Sequence, residues 1–82
     1  MNTFFAIMAE YGTAQIPVDR CAHLFGLESK EATRRASLQR LPVPSFRIGT
    51  QKSPWLVDAN QLAKHLDEAK ARAQAEWNKV RA

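Results

Sequence analysis

Eighty-two residues, 45% of them hydrophobic and 24% charged, make a chain too apolar for a disordered tail, too interrupted by charge for a membrane span and too short for two cores. It reads as one small, soluble, cytoplasmic domain without a signal peptide, because the apolar stretch near its start has neither a preceding basic region nor a small-residue cleavage site. The net charge of +4 is concentrated: residues 28–52 carry six bases and two acids, while the segments before and after nearly balance.

The first helix begins at Asn2 or Thr3 as cap, carries Phe4, Ile7, Met8 and Tyr11 at helical spacing, and ends at Gly12. It has almost no polar chemistry and reads as scaffold. Ile16-Pro17-Val18-Asp19 opens a second helix, with proline tolerated in the first turn and Asp19 favourable at the positive end of the dipole. Val18, Cys21, Ala22 and Phe25 form its apolar row, so the single cysteine reads as a small buried hydrophobe. Gly26 closes this helix in the left-handed conformation, and Leu27 folds back in a Schellman-type stop.

Ser29 is then expected to cap a third helix running to Arg40. Ala32 and Ala36 form a small-residue stripe that permits close approach to the second helix, and Leu38 and Leu41 continue the apolar contacts. The opposite face holds Lys30, Thr33, Arg34 and Ser37, with Arg35 and Arg40 to the sides, an inventory suited to phosphates and base edges. No Asp or Glu occurs from Ala32 through Val57 to neutralise Arg34, Arg35, Arg40, Arg47 and Lys52. Glu31 departs from this basic face, either accepting from a cytosine amino group or favouring the helix N-terminus.

Pro42-Val43-Pro44 stops the helix, and Ser45-Phe46-Arg47-Ile48 alternates at period two, which predicts Phe46 and Ile48 inward and Arg47 outward. Gly49 to Lys52 makes a turn, and Pro54 restricts the returning segment to an edge strand or its first position, which fits a two-stranded wing better than a central strand. Trp55 and Val57 cover the core, a base-stacking role for Trp55 being the less favoured reading. Asp58 starts the last helix with a capping box to Gln61 and a staple of Val57 against Leu62. Downstream, Leu66, Ala69, Ala73, Trp77 and Val80 recur at three- and four-residue steps, a row longer than so small a domain can cover, which points to a partner chain.

The expected fold is mainly α with a small two-stranded β wing, a winged helix-turn-helix with a long C-terminal helix. Residues 1–61 are the expected DNA-binding domain, and residues 58–82 the helix of the same domain that serves dimerisation. His23 and His65 lie far apart and the lone cysteine offers no zinc spacing; the three glycines are isolated and no nucleophile, base and acid stand together. The residues therefore predict no metal, no cofactor, no small-molecule substrate, no membrane contact and no enzyme.

Ile16-Pro17-Val18, Leu41-Pro42-Val43-Pro44 and, above all, Gln51-Lys52-Ser53-Pro54-Trp55-Leu56-Val57 resemble the pyocin activator protein PrtN family, within the excisionase-like and MerR-like winged helix-turn-helix group. The resemblance covers nearly the whole chain and is weaker after about Ala71. It implies a small transcriptional activator that binds double-stranded DNA upstream of bacteriocin or prophage-like genes. It further implies that Lys30, Thr33, Arg34 and Ser37 face the major groove, that Arg35 approaches a phosphate, and that Arg47, Gln51 and Lys52 are wing contacts. A homodimer is expected, with RNA polymerase as a candidate further partner. The same surface would serve an excisionase-like DNA-bending factor working with an integrase, or an adaptor for an acidic protein; genomic neighbourhood and duplex binding at low salt separate the three.

Overall fold

The computed structural model describes residues 2–50 and 52–81. Helix α1, Thr3–Tyr11, starts at Asn2, whose side-chain oxygen accepts from the Phe5 amide at 2.9 Å, and stops at Gly12, where φ is +72°. Residues Gln15–Pro17 form strand β1, so Ile16 and Pro17 are extended and do not belong to the expected helix entry. Extended backbone wins here because Ile16 has a buried partner across the sheet. Helix α2 is only Val18–Cys21, and a 3-10 turn, Ala22–Phe25, completes the element expected as one helix.

The turn into helix α3, Ser29–Ser37, is the expected Schellman stop: Gly26 lies at φ +72°, its amide reaches the His23 carbonyl, and the Leu27 amide reaches that of Ala22 at 3.2 Å. Ala32 and Ala36 are fully buried, and α3 packs on α2. Ser29 is not the cap. It stands at the first helical position, and its hydroxyl donates to the Asp19 carbonyl at 3.1 Å, tying α3 to α2.

Helix α3 also ends three residues earlier than Arg40. Gln39 takes a left-handed conformation at φ +55°, its amide reaching the Ala36 carbonyl while the Arg40 amide reaches that of Arg35 at 2.8 Å. This is a second Schellman stop, built without glycine. Gln39 earns its place through its side chain, which donates to the Ser45 carbonyl at 2.9 Å and accepts from the Ser45 amide at 3.3 Å. The Ser45 hydroxyl in turn donates to the Ala36 carbonyl at 2.8 Å. Leu38 consequently lies outside the core, 49% exposed, whereas Leu41 is buried as expected.

Strands β2, Ser45–Phe46, and β3, Leu56–Asp58, form the expected wing pair, with Ser45 opposite Val57 and Phe46 opposite Leu56. Strand β1 adds a third member on the other edge of β3, placing Ile16 opposite Val57 and giving an antiparallel sheet of order β1-β3-β2, so the returning strand is central and not the expected member of a two-stranded wing; Pro54 permits this because it lies before β3 begins at Leu56. Pro17 is tolerated because β1 is an edge. The inward position of β2 is Ser45, not Phe46, which is half-buried, and Ile48 points to solvent at 68% exposure. With Ser45 inward, the period-two phase puts Phe46 and Ile48 together on the outer face, the reverse of the expectation, and the strand pairing itself stops at Phe46.

Helix α4, Ala59–Arg81, spans 23 residues, about 35 Å at the helical rise. Asp58 caps it through one carboxylate oxygen, which accepts from the Asn60 and Gln61 amides at 3.0 and 3.3 Å; among the described residues Gln61 makes no reciprocal bond, so half of the expected box is formed. Ile16, Val18, Cys21, Val57 and Leu62 are the largest fully buried side chains, and burial of each of the four aliphatic ones contributes about 1.5–3 kcal/mol. Helix α1 packs along α4, with the Thr3 hydroxyl donating to Asp67. The chain is therefore mainly helical with a winged helix-like arrangement and a long C-terminal helix. Among the described residues no helix is long and apolar enough to cross a membrane.

Candidate nucleic-acid interface

The exposed face of α3 follows from its buried one. With Ala32 and Ala36 against α2, the helical period turns Lys30, Thr33, Arg34 and Ser37 to solvent, and Arg35 lies half-buried at the flank. The two hydroxyls on this face are already engaged as donors: Thr33 donates to the Ser29 carbonyl at 2.9 Å and Ser37 to that of Arg34 at 2.6 Å. Both retain acceptor lone pairs for an incoming group. Arg40, expected on the side of the helix, is exposed on the loop beyond its end.

The arginines are not unneutralised, contrary to the expectation from the acid-free run after Ala32. Glu31 holds both. Its carboxylate accepts Arg34 Nη2 at 2.7 Å and Arg34 Nε at 3.0 Å, and the first of those oxygens also accepts Arg35 Nε at 3.0 Å. The hydrogen bonds from Arg34 and then Arg35 hold the Glu31 carboxyl down to about 2, and the reciprocal bond raises Arg34 further. Glu31 stands in the first turn of α3, as expected of a favourable charge at the helix N-terminus, and its hydrogen-bond partners are its own neighbours one turn on. The spacing of an acid three and four residues before two arginines was the available signal.

On the wing, Arg47 is exposed and its guanidinium carbon lies 4.5 Å from the centroid of the Trp55 ring. Trp55 is half-buried against the core, so one ring face serves packing while Arg47 covers another part of the ring. Lys52 is exposed at the tip, and Gln51 lies outside the described residues. An open groove of about 340 Å³ is lined by Asp19, Thr33, Arg47, Ser53, Pro54 and Trp55, bringing the side of α3 and the wing to one concavity. The sequence assigns Thr33 and Arg47 to separate elements; their common groove depends on the segment leading into β3 bringing Trp55 back beside α2, where the Val18 amide donates to the Trp55 carbonyl at 2.8 Å.

The expected dimerisation row divides in two. Leu66 and Ala69 are half-buried, Leu66 against the chain's own core, whereas Ala73, Trp77 and Val80 are exposed, the last at 85%. Arg81 stacks over the Trp77 ring at 4.8 Å. No group of His, Cys, Asp and Glu among the described residues is arranged to hold a metal ion. Cys21 is fully buried, and burial pushes its thiol up to about 11.

No curated protein and no solved structure matches the chain. The model of the family described as pyocin activator protein PrtN matches residues 3–73, from the start of α1 into the exposed part of α4. That match takes in the buried stripe of α3, the Gln39–Ser45 latch, the wing and the cap of α4, and the chain belongs to this family of pyocin gene activators.

Proposed function

We propose that this chain is a sequence-specific double-stranded DNA-binding activator that recognises promoter DNA upstream of pyocin or prophage-like genes. The observation that carries the reading is the union of the exposed basic face of α3 with the wing across the groove between Thr33 and Arg47. In it, α3 enters the major groove with Lys30, Thr33, Arg34 and Ser37. Arg35, Arg40, Arg47 and Lys52 meet the phosphate backbone, and Gln51 is assigned a further DNA contact. The family membership favours gene activation over the integrase-linked bending role.

The exposed row Ala73, Trp77 and Val80 supports a homodimer through the far half of α4, with Leu66 and Ala69 at its near end, and two copies would read two half-sites. An activator also requires a route to RNA polymerase, which we assign to surfaces outside the basic face. No small-molecule effector enters this scheme.

The test is titration of labelled promoter and scrambled duplexes at several salt concentrations. Four phosphate contacts per subunit, through Arg35, Arg40, Arg47 and Lys52, give a log–log salt slope of about −3 to −4 per subunit. An affinity indifferent to salt, or no retardation of any duplex at low salt, overturns the reading.

A further inference from the structure

A guanidinium has five N–H donors on two usable edges, a side edge made by Nε and one Nη2 hydrogen, and an end made by Nη1 and the other Nη2 hydrogen. In Arg34 the side edge is occupied by Glu31, at 3.0 and 2.7 Å. No hydrogen bond among the described residues uses Arg34 Nη1, and the side chain is 58% exposed. The end that remains offers two parallel N–H groups, the arrangement that matches O6 and N7 of guanine.

We infer that Glu31 is a positioning residue for base reading, which fixes Arg34 side-on so that its end-on donors meet a guanine. This rests on the DNA-binding function proposed above. The carboxylate acts through Arg34 and needs no contact with a base. It acts in two directions: it lowers the rotamer entropy that Arg34 would lose on docking, and it opposes indiscriminate phosphate binding by holding negative charge beside both arginines. The bond to Arg35 Nε keeps the second guanidinium alongside, so the carboxylate cannot rotate away without breaking three bonds. A clamp of this kind contributes to selectivity, whereas its charge alone would reduce affinity on every sequence alike.

The experiment compares wild type, Glu31→Gln, Arg34→Ala and the double variant. Each is measured against a duplex selected with the wild-type protein, against that duplex with each base pair substituted in turn, and against a scrambled duplex, at one fixed salt concentration. Glu31→Gln is expected to bind scrambled DNA as well as wild type or a few-fold more tightly, and to lose about ten-fold in the ratio of selected to scrambled affinity. The lost discrimination should fall at one G·C pair, the same pair that Arg34→Ala relaxes, and Glu31→Gln should lower discrimination no further in the Arg34→Ala background. Side-chain nitrogen NMR of the free protein supplies a readout without DNA: the Arg34 Nε–H should exchange with solvent more slowly in wild type than in Glu31→Gln.

Equal tightening on both duplexes by Glu31→Gln makes Glu31 a general charge and overturns the inference while leaving DNA binding intact. Unchanged Nε–H exchange overturns it as well. A wild-type protein that prefers no duplex over scrambled DNA overturns the function and the inference together.

Discussion

Replacing Gln39 separates two opposed effects at the end of α3. The residue lies at φ +55°, where any side chain bearing a Cβ costs about 1–2 kcal/mol. It holds that conformation while bonding both the amide and the carbonyl of Ser45, at 3.3 and 2.9 Å. Two such bonds, partly exposed, contribute about 1–2 kcal/mol together. Gln39→Ala loses the bonds and keeps the strain, so it should destabilise by about 1–2 kcal/mol, a fall of roughly 5–15 °C in Tm for a domain this small. Gln39→Gly loses the same bonds but regains about 1 kcal/mol from the relieved backbone, and should lie near wild type. Ser45→Ala removes the buried hydroxyl that reaches Ala36 and should cost about 1 kcal/mol by itself. Urea melts followed by circular dichroism at 222 nm measure all three. If Gln39→Gly is as damaging as Gln39→Ala, the positive φ carries no strain worth relieving. If Gln39→Ala matches wild type, the latch to Ser45 contributes nothing.

Arg34→Ala should weaken binding to the specific site by about ten-fold or more, relax preference at one base pair and leave random duplex nearly unaffected, whereas Lys52→Ala should weaken both alike and reduce the salt slope by about one. Competition binding distinguishes them, and the reverse pattern would make the wing the reader. Among the described residues, truncation after Lys70 removes only exposed ones, so the product should fold, sediment as a monomer and bind a two-site operator weakly; an unchanged sedimentation mass refutes dimerisation through this end of α4. Cys21, raised by burial from 9.0 to about 11, should react with a disulfide reagent at pH 8 far more slowly in the native chain than in urea. Because the folded state favours the neutral thiol, its contribution to stability is complete below pH 9.0 and declines as pH rises toward 11, which urea midpoints at rising pH would record.

The parts legible in the sequence were those decided locally. Gly26 followed by Leu27 specifies its stop because only glycine takes a left-handed turn at little cost, and Ala32 with Ala36 specifies the buried face of α3 because small residues four apart face a neighbour. The misplaced parts depended on partners distant in the chain. Gln15–Pro17 is a strand only because Val57 is there to bury Ile16, and four residues of pattern do not disclose that pairing. Gln39 has no propensity for a positive φ; its conformation is fixed by Ser45, six residues on across two prolines. The same bonds fix the phase of β2, so missing them also turned Ile48 the wrong way. On the basic face, residue identity was legible but hydrogen-bond state was not: the Glu31 clamp and the engaged hydroxyls of Thr33 and Ser37 are rotamer facts.

Every residue from Ala71 to Arg81 is exposed, and the contacts of Gln74 with Asn78 and of Arg81 with Trp77 stay within the helix itself. The far end of α4 is thus a lever whose angular phase is set at its root, by the Asp58 cap and the packing of α1, and transmitted without correction along the shaft. Seven residues inserted after Ala71 would carry Trp77 and Val80 about 10 Å outward and rotate them by only about 20°, whereas two would swing them to the opposite side. The distance between the exposed tip and the basic face is adjustable in nature or by design in steps of two turns, and the face the tip presents is a matter of counting.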